Sequence, residues 1–258
     1  MIELKSKHAT VGIDAGELVS FVVDGHEFIH QKGSPGWRSS DTEMFPIIGP
    51  TNEADFRVEV PKGEAIQDQH GLLREMEYEL QSQTGDSAAF VKQYQAETPI
   101  KNSKFPDKSS ESDLIWPYNF RFEKSFSLQD KTLEITFTIS GEKGMPFMLG
   151  YHPAFKLHSN DPTITANQKE ISLDEVLAVG SRALQVQNCT SITLKDAKEI
   201  TIKTEGFSHF MCWTEVRNMV CIEPISFYPY TVNQEDLHLG FQKLGGEKAI
   251  YKVLFIVF

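Results

Sequence analysis

Two histidines and a glutamate stand in settings that ordinary core or turn residues seldom need. His152 lies in GYHPAF (150–155), at the end of an apolar run and directly before Pro153. Proline fixes its own φ, removes an N–H donor and keeps the preceding residue extended, so this imidazole has few orientations open to it. Glu223 is the carboxylate within VCIEPI (220–225), an otherwise apolar strand, and is again followed by proline. A carboxylate there is costly to bury unless it is paired, protonated or functional. His70 belongs to QHGLLRE (69–75), in which Gly71 permits a positive φ or a close approach and Arg74 follows four residues after the histidine. An imidazole that titrates near neutrality and a carboxylate sharing one cleft would suit general acid–base catalysis.

Each residue has a structural alternative. His152 could be a core histidine bonded to a carbonyl, and His70 a turn histidine with a satisfied ring. In a strand of period two, Val220 and Ile222 face the core while Cys221 and Glu223 face the other way. Glu223 is then an edge charge if that side is solvent, and a poised group if it is a cleft. His70, His152, Cys221 and Glu223 could ligate a metal, but no pair has the close spacing of a typical zinc site, so no metal is expected. The glycines form neither G-x-G-x-x-G nor a phosphate loop, and no G-x-S-x-G elbow occurs. Neither a nucleotide cofactor nor serine hydrolysis is expected.

The elements that must carry these residues read as strands. In KTLEITFTIS, Leu133, Ile135, Phe137 and Ile139 alternate with Thr132, Glu134, Thr136 and Thr138, which places an apolar row on one face. Asp24-Gly25 between two β-rich runs predicts a hairpin. NFRFEKSFSL and ITIKTEGF repeat the alternation less cleanly, and the terminal KVLFIVF predicts a central strand buried on both faces. No long stretch has helical spacing. Turn clusters recur at GSPG (33–36), TGDS (84–87), FPDKSSESD (105–113) and LGG (244–246). The serine-rich cluster has the same strand-rich composition on both sides, so it predicts a long surface loop rather than a linker. Residues 1–258 are expected to form one domain, a single large antiparallel β-sandwich.

Composition narrows the partner. The formal charge of −11, without a basic run, argues against nucleic acid, which needs a clustered positive field. VLFIVF is far too short to cross a bilayer, and MIELKSKHATVGID has no apolar core of a secretory signal. Three cysteines without a C-x-x-C unit suit reduced thiols in the cytoplasm. A cytoplasmic protein acting on a small, polar molecule is expected, and the edges of a large sandwich could pair into a homodimer.

The succession FPIIG, QHGLLRE, LGYHPAF and VCIEP resembles the aldose 1-epimerase (galactose mutarotase-like) family, closest to its shorter bacterial branch. The resemblance runs across almost the whole chain, and GYHPAF followed by CIEP carries most of its specificity. It implies a β-supersandwich and cofactor-free interconversion of the α and β anomers of a free aldose. It places His152 as general acid and Glu223 as general base, His70 and Arg74 as substrate contacts, and Arg38 of GWRSS as a further active-site arginine. Pyranose opening needs one proton placed on the ring oxygen while another leaves the anomeric hydroxyl; rotation of the aldehyde and reclosure then invert the centre. Trp213 or Phe45 could offer the sugar a flat face, although packing is the ordinary role for either.

The chain departs from the family pattern in two places. An aspartate followed by Ala-Leu is common between the GYHPAF and CIEP motifs; here SRALQV has Arg182, and Asp196 of LKDAK fits less well. A Gly-x-x-Asp segment that often follows CIEP is replaced by ISFYPYTVNQ. Arg182 would suit an anionic sugar. The missing aspartate leaves room for a non-catalytic sugar-binding or sensory protein on the same fold. A glycosidase would need a second carboxylate paired with Glu223, and the motifs supply no convincing one.

Overall fold

The computed structural model describes residues 1–246 and 248–258. Among these, alternating sequence becomes antiparallel sheet. Thr132–Gly141 buries Leu133, Ile135, Phe137 and Ile139 completely. Its neighbour Phe120–Gln129 pairs with it along ten residues and buries Phe120, Phe122, Phe126 and Leu128 on the same side. These two strands lie within a nine-stranded sheet whose order runs Lys169–Ser172, Thr163–Ala166, Ser191–Lys195, Glu199–Glu205, Ala249–Ile256, Thr132–Gly141, Phe120–Gln129, Ser87–Tyr94 and Glu79–Gln83.

The strand Ala249–Ile256 is central, as expected, but only one of its faces is fully buried. Tyr251, Val253 and Phe255 point into the core while Lys252 and Leu254 are half-covered. The apolar run KVLFIVF hides this alternation because Leu254 and Ile256 fill the outer row. Asp24 and Gly25 both take positive φ and turn Glu17–Val23 into His26–Glu27, as the hairpin signal predicts.

A second sheet faces the first. Its order is Leu184–Val186, His209–Trp213, Met219–Ile225, Gly150–Tyr151 and Glu43–Met44, with Ala154–Lys156 also paired to Met219–Ile225. Aromatic rings join the layers: Phe137 meets Tyr151 at 5.1 Å between centroids, Phe155 meets Phe255 at 5.2 Å, and Phe45 meets Phe122 at 5.3 Å. Such pairs add roughly 0.5–1.5 kcal/mol each beyond their buried area. Phe45 is entirely enclosed in this core, so it presents no face to a ligand. A short helix, Leu173–Val179, is capped by Ser172 and Glu175 in reciprocal hydrogen bonds. No helix among the described residues is long and apolar enough to cross a membrane. FPDKSSESD is a surface loop between two strands that pair with each other, Ile100–Lys101 and Asp113–Leu114.

Candidate active site

Met219–Ile225 is the strand on which the site is built. All seven of its residues are buried, which settles the choice left by its alternation. Val220 and Ile222 join the main core, while Cys221 packs on the opposite side with Ala154 and Met219, near Trp37 and Trp213. That opposite side is a cavity and not open solvent. Glu223 lines it and is only 2% exposed.

His152 is brought to the same cavity by the break between Gly150–Tyr151 and Ala154–Lys156. Its backbone N–H donates to Thr42 O at 2.8 Å, and the Ala154 N–H donates to Ser40 O at 2.8 Å, so both sides of Pro153 are pinned to segment 40–42. His152 Nε2 lies 3.5 Å from Glu223 Oε1. Trp37 stacks on the imidazole, with centroids 4.3 Å apart and planes 25° apart. His152 Nδ1 is buried without a hydrogen-bond partner, an orphaned donor or acceptor that a ligand hydroxyl could satisfy.

Burial, and then the charge of Arg74, holds the His152 imidazole down at about 3. Burial pushes the Glu223 carboxyl well above its ordinary range. Both effects favour the uncharged form of the group they act on.

His70 reaches the cavity through strained backbone. Its own φ is +72° and that of Gly71 is +77°. A Cβ on residue 71 would stand 2.3 Å from Phe45 O, so only glycine lets QHGLLRE turn against FPIIG. Phe45 N–H donates to His70 O, and Leu73 N–H donates to Phe45 O, both at 3.1 Å. Gly49 N–H donates to His70 Nδ1 at 3.4 Å, and the side-chain amide nitrogen of Gln69 lies 3.3 Å from His70 Nε2. Burial, together with Arg74 and His152, keeps this imidazole well below its ordinary value. Its ring meets that of His152 edge-on at 5.9 Å.

Arg74 follows in the helical turn Leu72–Glu75, anchored by the buried Leu72 and Leu73. Its guanidinium lines the cavity and pairs with no carboxylate among the described residues.

The structure brings His70, Arg74, His152 and Glu223 to one cavity of about 380 Å³. Arg38 is exposed and lies outside the lining; its neighbour Trp37 faces inward instead. Trp213 lines the cavity as well. Residues to which the sequence assigned no role also contribute, among them Gln69, Lys108, Glu215 and Tyr230. Lys108 comes from the long serine-rich loop, whose composition reports only exposure. Arg182 reaches the cavity, whereas Asp196 caps the loop at His158 and Ser159 by accepting their backbone N–H groups.

The donor atoms of His152, Cys221 and Glu223, three of the four residues that could ligate a metal, lie within 4.8 Å of one another. The set could hold a soft divalent ion, although burial keeps the Cys221 thiol well above its ordinary pKa and opposes the thiolate such an ion needs. Cys189, Cys212 and Cys221 are all free thiols.

The fold and the motifs have known counterparts. A galactose mutarotase-like protein from Lactobacillus casei superposes with a TM-score of 0.80 at 19% identity, covering 100% of both chains. A galactose mutarotase related enzyme from Lactobacillus acidophilus gives 0.78 at 17% identity, over 100% of this chain and 97% of that one. The plasmid-encoded protein LacX of Lactococcus lactis subsp. lactis is 28% identical over 87% of each chain. The aldose 1-epimerase family profile matches residues 47–227, a span that holds His70, Arg74, His152, Arg182 and Glu223. On the sandwich, the motif order and this match together, the chain belongs to the aldose 1-epimerase family.

Proposed function

We propose that the protein is a mutarotase, interconverting the α and β anomers of a free or modified aldose by general acid–base catalysis. The observation that carries this reading is the His152–Glu223 pair, two buried ionisable groups 3.5 Å apart in a cavity wall. Ring opening takes a proton to the ring oxygen and removes one from the anomeric hydroxyl, and a matched acid and base supply both without a covalent intermediate. The resemblance makes His152 the donor and Glu223 the base, whereas burial disfavours the charged form of each. A coupled pair titrates as a unit, so the donor role of His152 requires the proton to cross from Glu223 as substrate hydroxyls enter. His70 and Arg74 would hold hydroxyls, with Trp37 and Trp213 flanking the ring.

Polarimetry on fresh single anomers tests the reading. The panel holds glucose, galactose, xylose and hexose 6-phosphates, the last because Arg74, Lys108 and Arg182 all line the cavity. Acceleration of at least one sugar is expected, falling about 10²–10⁴-fold in Glu223→Gln and in His152→Asn. A Glu223→Gln protein with parental turnover would end the mechanism. Calorimetric sugar binding without any acceleration would favour the sensory reading.

A further inference from the structure

Behind the active-site cavity lies another of about 430 Å³, and Arg74 is the one described residue that lines both. Four buried charged residues share the wall of this rear cavity: Asp41, Glu43, Lys92 and Lys124. Lys124 joins the two carboxylates. Lys92 has no part in that pairing and none in the proton transfers, yet it is only 5% exposed. Lysines are seldom buried so far without a partner.

Lys92 stands in the inward row of Ser87–Tyr94, between Phe90 and Tyr94 and opposite Phe122. Its ammonium donates to Leu73 O at 2.8 Å and lies 4.0 Å from the centroid of the Tyr78 ring, within cation–π range. Leu73 directly precedes Arg74 in the turn Leu72–Glu75, so this bond ties the backbone of the arginine to the nine-stranded sheet. Burial lowers the amine to about 8 against the pull of Glu43, and at pH 7 the group is still a cation.

The tie matters because Arg74 has somewhere else to go. Glu43 Oε1 accepts no well-aligned hydrogen bond among the described residues, although Lys124 Nζ lies 2.6 Å away. A buried carboxylate oxygen in that condition is a ready acceptor for a guanidinium, and turning towards it would take Arg74 out of the active-site cavity. Two features of Lys92 oppose the turn. Its bond to Leu73 O fixes the backbone from which the arginine springs. Its ammonium adds positive charge to the rear cavity, where a second cation is repelled.

We propose that Lys92 is a positioning residue for Arg74, holding its guanidinium in the active-site cavity and away from Glu43. The inference rests on the mutarotase reading, in which Arg74 holds sugar hydroxyls. A double-mutant cycle tests it, by polarimetry at pH 7 on whichever sugar is turned over fastest, with Lys92→Met, Arg74→Met and the two combined. KM should rise about tenfold in Lys92→Met with kcat nearly unchanged, because a charged hydrogen bond made to ground state and transition state alike is lost. In the Arg74→Met background the same change should move KM less than about twofold, since the residue through which Lys92 acts is gone. Glu43→Gln added to Lys92→Met should bring KM back towards the parent, a rescue that a lysine serving stability alone would not show. Where the urea midpoint shows that Lys92→Met does not fold, Lys92→Gln carries the same cycle, keeping a donor for Leu73 O and losing the charge.

An unchanged KM in the Lys92 variant, or an equal rise with and without Arg74, would overturn the proposal while leaving the mutarotase standing. If no sugar is accelerated, the mutarotase reading fails on its own, and the arginine reagent phenylglyoxal locates Arg74 without a substrate. Labelling of Arg74, followed by mass spectrometry, about tenfold slower in Lys92→Met than in the parent supports the positioning role. Equal rates, or no labelling of Arg74 in the parent, remove it.

Discussion

At the residue scale, the pair His152 and Glu223 inverts the usual expectation for a histidine and a carboxylate. An ordinary histidine titrates near 6.5, but burial and then Arg74 hold His152 at about 3, while burial pushes Glu223 upward. The competent uncharged pair is lost on the acid side only when His152 takes a second proton, and on the alkaline side when Glu223 gives up its own. The acid limb of kcat/KM should therefore lie well below pH 6.5, with a flat profile through the range where an exposed histidine titrates. Arg74→Met removes a cation that opposes protonation of His152, so it should shift that limb to higher pH in addition to weakening sugar binding. An acid limb at about 6.5 in the parent protein, unmoved by Arg74→Met, would show that His152 is not held neutral by its surroundings. Rate against pH, measured by polarimetry with the sugar held well below KM, distinguishes these outcomes.

At the element scale, positioning depends on where one strand or turn is forced against another. Gly71 is the clearest case, because φ is +77° and the missing Cβ is all that separates residue 71 from Phe45 O. Gly71→Ala should cost more than about 1 kcal/mol of stability and lower kcat/KM through displacement of His70. An alanine variant matching the parent in both urea midpoint and kcat/KM would show that the close approach is dispensable.

Elements of this kind mark the limit of what the sequence discloses. Alternation puts Leu133, Ile135, Phe137 and Ile139 in the core because one buried face and period two leave no other arrangement. Prolines and the lone carboxylate single out His152 and Glu223 because those local patterns are costly without a purpose. Trp37 carries no such signal beside Arg38, since adjacent residues point to opposite sides and GWRSS does not say which side is inward. Lys108 arrives from a loop whose composition reports exposure and nothing of direction. The grouping of Cys221 with His152 and Glu223 is a product of strand pairing, Ala154 with Cys221 in register, which a linear spacing rule cannot see.

At the scale of the whole molecule, the two sheets are joined by charge as well as by aromatic rings. Lys124 stands in the inward row of Phe120–Gln129, where its neighbours are phenylalanines, and its side chain is only 1% exposed. Its ammonium donates to Asp41 Oδ2 at 2.7 Å and lies 2.6 Å from Glu43 Oε1. Asp41 also accepts from the Tyr151 hydroxyl at 2.6 Å and from Leu18 N–H at 3.0 Å. Burial alone would lower the Lys124 amine, but Asp41 and Glu43 raise it above an ordinary lysine, so the cation persists in the interior. It thereby links the nine-stranded sheet to segment 40–44, whose Ser40 and Thr42 carbonyls hold the backbone on either side of Pro153.

Lys124→Met keeps the volume and removes the cation that joins the buried Asp41 and Glu43. Breaking a buried ion pair in this way costs about 3–5 kcal/mol, and the urea midpoint should fall accordingly. Because segment 40–44 would be released, kcat should drop by more than KM rises, the mark of an acid–base group moved out of line rather than of a weaker hold on the sugar. A destabilisation below about 1 kcal/mol with unchanged kcat would show that aromatic packing alone fixes the two layers and the histidine between them.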